Sequence, residues 1–417
     1  MSFVLFILNP LLGFIDAMKA LDRKYHGLIF IAFYALFGYA ISFNLTSADS
    51  YRLAARFCQQ SFDYREIWGL FINGKITDVY LLFVFGVIQT ITRNPKVLFG
   101  ILGAVMGVFS YMSTRQLYLI WSHGRNRYFY FIVLFFFLSI SFFNVNGIRF
   151  WTATSIYSYY LIRYLYFGKK WAIIGVCITP LVHYGFIIAV IGFFLFLLTD
   201  LLFRNSTAFY VLLLLSFGLS FLPPQSAIDD IIGSEGDVEE LTSNAAINRK
   251  ASYYVRVGEA DVRGTIQSSS TSLYRRANTL FTKTFEYVNK IGMVLMLTLL
   301  YVRRKSIVQT NTQSRFFKYV LFAFSLGFLA IFFINSGGRF IRIANMMYAF
   351  WLCTVFRENV KIQKKWKSYV MVLFIINFYA LSFLFFNAPR LVTPMFWFLS
   401  PVFTILDGIG FAPIDFI

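Results

Sequence analysis

Apolar residues fill the chain in long runs broken by short polar stretches. The runs lie near 1–15, 28–45, 78–92, 97–121, 128–145, 147–167, 171–199, 207–222, 288–302, 316–334, 340–356, 368–386 and 396–406. A full membrane span needs roughly 20 apolar residues, so the pattern predicts an all-α, polytopic integral membrane protein with roughly 12 to 14 transmembrane or half-membrane helices. The run at 171–199 has the length of one tilted span or of two broken half-helices. The first fifteen residues have no basic region before them and no small-residue cleavage site after them. They are read as a first membrane segment and not as a removed signal peptide.

Basic loops set the expected orientation. Lys19, Arg23 and Lys24 mark one, and Arg125 with Arg127, Lys169 with Lys170, Arg303 to Lys305, and Lys361 to Lys367 mark others. The positive-inside rule places these loops in the cytoplasm. The stretches 46–77, 144–148, 223–286, 335–339 and 387–395 then fall outside. An even number of crossings is required between Lys170 and Arg204, so 171–199 should turn back near Pro180 to His183. The same parity problem arises at 97–121, where Arg115 interrupts the run. The polar stretch 223–286 divides the chain into an N-terminal membrane bundle (1–222), a large outer loop (223–286) and a C-terminal membrane bundle (287–417). The loop opens with the acidic run 229–240, and 252–257 carries strand-like residues.

Composition agrees. Hydrophobic residues make up 58% of the chain and charged ones 14%, against roughly 25% charged in soluble domains. The net charge of +19 sits mostly in short loops, where it signals topology and not nucleic acid. Cys58, Cys177 and Cys353 lie far apart, without disulfide-framework or zinc spacing. No cofactor or metal motif is present, and no nucleotide-binding fingerprint.

Ionisable groups at membrane segments are functional candidates, and four sets stand out. Asp49, Tyr51 and Arg52 follow the second run, with Arg56 one turn beyond Arg52. Asn146 and Gly147 break the backbone before a helix whose start offers free N–H groups to an anion, and Arg149 adds a forked donor suited to phosphate. His183 stands in an apolar run between Pro180 and Gly185, whereas His26 and His123 sit in basic loops. Gly337 and Gly338 precede Arg339 and Arg342, three residues apart on the next helix. Several arginines, one histidine and one aspartate on one membrane face suit a substrate with a phosphate and a sugar, such as a lipid-linked diphosphate sugar.

The order of these motifs resembles that of bacterial exopolysaccharide and O-antigen polymerases of the EpsG/Wzy type. The matching residues are Asp49 and Tyr51, Asn146 to Arg149, Gly168 to Lys170, Leu181 to Tyr184, and Gly338 to Phe340. The resemblance covers most of 40–200 and part of 330–360. It departs at Phe150, where the family often has Gln, and 223–286 has no counterpart in it. It implies a metal-independent glycosyltransferase of the bacterial inner membrane, acting on the periplasmic face without a cofactor. The substrate would be undecaprenyl-diphosphate-linked oligosaccharide, and the partners a chain-length regulator and the flippase of the same pathway. On this reading Arg149 and Arg339 hold the diphosphate, with Arg342 and Arg52 behind them. His183 is the base, slightly ahead of Asp49, and Tyr51, Asn146 and Tyr184 position the substrate.

Three other readings compete. A flippase or transporter of lipid-linked sugars would carry cations along a path to both faces and would more often show repeated halves; no repeat is seen. A glycosyltransferase using a lipid-monophosphate sugar would employ an acid such as Asp49. An O-antigen ligase shares the diphosphate leaving group.

Overall fold

The computed structural model describes residues 1–43, 49–63, 66–73, 79–121, 125–203, 205–222, 272–307, 310–333, 338–358, 392–393 and 395–409. His123, Gly337, the loop from 223 to 271 with its acidic run and strand-like segment, the basic stretch 361–367 and the runs near 368–391 lie outside them.

The described residues are helical, with one isolated antiparallel bridge between Ile41 and Val392. In chain order the helices are α1 (Ser2–Leu8), α2 (Pro10–Ala17), α3 (Lys24–Tyr39), α4 (Asp49–Gln59), α5 (Ile67–Ile72), α6 (Val79–Gln89), α7 (Pro95–Ile120), α8 (Arg127–Ser139), a 3-10 turn (Phe142–Gly147), α9 (Ile148–Leu165), α10 (Ala172–Val182), α11 (Phe186–Leu202) and α12 (Ser206–Leu219). After the undescribed stretch come α13 (Ser272–Ile307), α14 (Asn311–Phe333), α15 (Gly338–Glu358), α16 (Met395–Phe398) and α17 (Pro401–Ile409). By length and composition, Pro95–Ile120, Arg127–Leu165 and Asn311–Phe332 are long and apolar enough to cross a membrane.

Three expectations change. The first fifteen residues are not one segment. Asn9 ends α1, its side chain accepts from Leu11 N–H and Leu12 N–H, and Pro10 starts α2. Proline has no N–H to lose at that position, so Asn-Pro both stops and restarts the helix. The two helices double back, and Ser2 Oγ donates to Asp16 Oδ2 at 2.6 Å. The second change is at α6, whose 11 residues reach about 16 Å, about half a hydrocarbon core. The described part of this run is therefore half the expected span, and α7 runs unbroken past Arg115. The third is that 272–286, expected in the loop, begins α13.

The turn expected near Pro180 to His183 is present. Phe150 packs on Phe186 and Tyr164 on Phe193, while Tyr157 Oη donates to Ala189 O. So α11 runs parallel to α9. Tyr160 meets Trp171, and Phe150 meets His183, so α10 runs antiparallel to α9. α10 and α11 therefore form a hairpin bent at His183. α14 and α15 form a second: Trp351 Nε1 donates to Gln313 O and Phe324 packs on Tyr348.

Glycine lets α3 and α7 touch. A Cβ on Gly38 would collide with the Phe99 carbonyl oxygen, and one on Gly103 with that of Tyr34. Such small-residue contacts let backbones approach where lipid provides no hydrophobic drive. The buried core is continuous from Phe14 through Phe150 to Phe396, so helices from both halves of the chain share it.

The bundle has two unlike ends. At one, Asp200 accepts from Arg315 at 2.9 Å and Lys318 at 2.8 Å, and Asp22 pairs with Arg125 at 2.9 Å. The basic stretches at 19–24, 125–127, 169–170 and 303–305 belong to this basic end. The starts of α4, α9, α11 and α15 meet at the other.

Candidate functional site

A small cleft at that second end is lined by Asp49, Leu53, Gly147, Ile148, Arg149, Phe150, His183 and Arg339. Four sequence candidates thus come from four separate segments into one place. Asp49 opens α4, Arg149 is the second residue of α9, His183 caps α10, and Arg339 is the second residue of α15.

Local chemistry fixes each one. Asn146 Oδ1 accepts from Ser50 N–H at 3.1 Å. This satisfies a donor at the start of α4 that the helix itself cannot pair, and it stitches Asp49 to the segment that carries Arg149. Gly147 ends the 3-10 turn and α9 follows at the next residue without a side-chain cap, which puts Arg149 at the start of the helix. Pro180 lies in the last turn of α10, where it removes a helical donor. His183 then leaves the helix with extended backbone, φ −150° and ψ 115°. Gly185 N–H donates to His183 Nδ1 at 3.1 Å. In the neutral ring the proton therefore sits on Nε2.

Phe150 is the floor. Its ring, 4% exposed, lies edge-on to His183 at 5.3 Å, against Phe186 at 5.1 Å and Phe340 at 6.0 Å. The Arg339 guanidinium sits 5.4 Å over the same ring. Where the resembled family often has Gln, this chain has an apolar platform that sets both an imidazole and a guanidinium. Sequence reasoning treated Phe150 only as a lost polar partner, and it missed Leu53 and Ile148 in the walls. Adjacency to Arg149 was the one available signal for Phe150.

The remaining candidates do not line the cleft. Arg52 reaches Asp49 Oδ1 at 2.6 Å from one turn on, so it acts on the cleft through that carboxylate. Arg342 lies 5.2 Å over Trp151 and donates to Asn144 Oδ1 at 3.5 Å, on the side of the 3-10 turn. Tyr51 packs against the core, and Tyr184 is exposed at the hairpin tip.

The cavity is about 20 Å³, enough for about one water molecule. Its floor is buried, whereas Arg339 is exposed and the Asp49 side chain is 39% exposed. Among the described residues, no three His, Cys, Asp or Glu side chains gather to hold a metal ion. Comparison with protein families, with curated proteins and with solved structures returns no match.

Proposed function

We propose that the chain is a polysaccharide polymerase of the bacterial inner membrane. It joins undecaprenyl-diphosphate-linked oligosaccharide units at the outer face and releases undecaprenyl diphosphate. The observation that carries this reading is the meeting of Asp49, Arg149, His183 and Arg339 in one cleft. The described basic stretches at 19–24, 125–127, 169–170 and 303–305 gather at the opposite end, and the positive-inside rule then makes that end cytoplasmic and the cleft external.

In the reaction, a sugar hydroxyl of one unit attacks the anomeric carbon of the growing chain. The bond from that carbon to the diphosphate oxygen breaks, and negative charge grows on the departing diphosphate. Arg149 and Arg339, which line the cleft together, neutralise that charge on this reading; removing one such donor typically costs about 10²–10³ in rate. The hydroxyl proton needs an acceptor. His183 Nδ1 is already occupied by the Gly185 N–H, and its Nε2 carries a proton, so the neutral ring donates. We therefore assign Asp49 as the base and His183 as a donor to the diphosphate or a sugar hydroxyl. This reverses the order of the two reached from sequence. A flippase fits less well, because Phe150, Phe186 and Phe340 close the floor beneath the cations. A ligase would use the same chemistry and differ in acceptor.

The test is a reconstitution with undecaprenyl-diphosphate oligosaccharide and EDTA, resolved as a ladder on a gel. A ladder at repeat-unit spacing, lost in Arg149→Ala and Asp49→Asn, is the expected result. Movement of intact lipid between vesicle leaflets with no new glycosidic bond would replace the polymerase by a flippase.

A further inference from the structure

At the basic end, a second and much larger cavity opens between α1 and the start of α3. It has a volume of about 630 Å³ and is walled by Phe3, Phe6, Tyr25, His26, Leu28 and Ile29. That volume falls inside the roughly 300–1,000 Å³ typical of small-molecule sites. Its rim is open to the surroundings: Phe3 is 65% exposed and Leu28 64%.

The polar groups of this cavity are confined to one edge. His26 Nδ1 lies 2.9 Å from Ala20 O and Nε2 lies 3.2 Å from Ser2 Oγ, so the ring is held at two points. Ser2 in turn donates to Asp16. The two acids nearby are matched by partners, Asp16 with Lys19 and Asp22 with Arg125. Arg23 and Lys24 then add exposed positive charge immediately before Tyr25 and His26. Lys24 is four residues before Leu28 on α3, so the two share a face. The result is an apolar slot at the basic end of the bundle, with two exposed cations next in the chain to its lining residue Tyr25.

We infer that this slot binds one acidic glycerophospholipid of the surrounding leaflet. An acyl chain fills the space between α1 and α3, and the phosphate lies against Arg23 and Lys24, while His26, with both ring nitrogens engaged, forms part of the wall. The doubled-back α1–α2 hairpin builds the slot, because it brings Ser2 back to the base of α3. The inference uses the orientation proposed above, which makes this the cytoplasmic leaflet, and does not depend on the reaction.

The experiment is lipid retention. The full chain is placed in nanodiscs of phosphatidylethanolamine and phosphatidylglycerol, extracted in mild detergent, and its bound lipid counted by native mass spectrometry. Wild type should keep phosphatidylglycerol above its share of the nanodisc. Leu28→Trp, which fills the slot from an exposed position, should lose that lipid. Phe83→Trp, exposed on α6, is the control and should keep it. The double variant Arg23→Ala/Lys24→Ala should keep lipid but lose headgroup preference, by about fivefold per charge, as expected for basic side chains at an anionic surface. Retention of phosphatidylglycerol by Leu28→Trp, a bound composition equal to that of the nanodisc, or an unchanged preference in the double variant would each overturn the inference. Polymer synthesis is not the readout, so loss of the polymerase reading would leave this test intact.

Discussion

Asn146→Ala isolates the contact that holds the two halves of the cleft together. Its Oδ1 is the acceptor for Ser50 N–H at 3.1 Å, and Ser50 is 1% exposed, so water cannot easily take its place. An unsatisfied buried donor costs about 1–3 kcal/mol, and loss of a helix cap about 0.5–2 kcal/mol. The overlap gives about 1–2 kcal/mol of lost stability, modest for a bundle of this size. The functional effect should be much larger. Asp49 is the residue before Ser50, and freeing the start of α4 lets the carboxylate drift relative to Arg149. A misplacement of about 1 Å costs about 10²-fold in rate. Asn146→Asp keeps an acceptor and should restore stability, but its charge opposes the diphosphate and should raise KM. Thermal unfolding in detergent gives the first quantity, and initial rates of ladder formation give the second. Wild-type turnover in Asn146→Ala, with the expected loss of stability, would show that α4 is held by other means and refute the positioning argument.

Four further outcomes follow from particular contacts. Phe150→Ala should cost about 3–5 kcal/mol, the usual range for a buried ring, whereas Phe150→Leu should keep the fold and lose the cation–π contact to Arg339, worth about 0.5–1 kcal/mol at an exposed site, seen as a few-fold rise in KM. Gly103→Ala should destabilise by about 1–3 kcal/mol through overpacking, while Gly218→Ala, with nothing within 4 Å of the new Cβ, should stabilise α12 by up to about 1 kcal/mol; thermal melts separate them. Arg149→Lys keeps the charge but loses the fork, so it should retain part of the turnover that Arg149→Ala loses. Asp22 has a lowered pKa: burial pushes it up, and the Arg125 hydrogen bond and charge outweigh that push. The unfolded carboxyl binds protons first, so this contribution is full above about pH 4 and is lost as pH falls through the lower native value. The melting difference between wild type and Asp22→Asn should therefore close as the pH drops below about 4.

The legible parts of this molecule are those with local causes. Pro180 and Gly185 flank His183 closely enough that a break there follows from backbone chemistry, and the crossing count demanded it. Asp49, Arg149, His183 and Arg339 were visible because a charge or an imidazole beside an apolar run needs a reason. Their meeting was not visible, since it depends on α4, α9, α10 and α15 packing across nearly 300 positions of chain. The doubled-back start escaped because Asn9-Pro10 lies inside an otherwise apolar run, and run length outweighed the cap. Arg342 and Arg339 look alike in sequence, three residues apart. On a helix that spacing still leaves a rotation, and it sends one guanidinium over Phe150 and the other over Trp151. Phe150 itself shows the limit of reading by analogy: a departure from a resembled motif became the platform of the site.

The central claim is that Arg149 and Arg339 hold a diphosphate, and direct binding tests it without any requirement for turnover. Undecaprenyl diphosphate is titrated into the purified chain and into Arg149→Ala, Arg339→Ala and the double variant, with undecaprenol as the uncharged control. The account predicts that the diphosphate binds far more tightly than the alcohol, and that each substitution removes most of the difference while leaving the alcohol unaffected. Equal affinity for diphosphate and alcohol, or a difference that survives the double substitution, would contradict it.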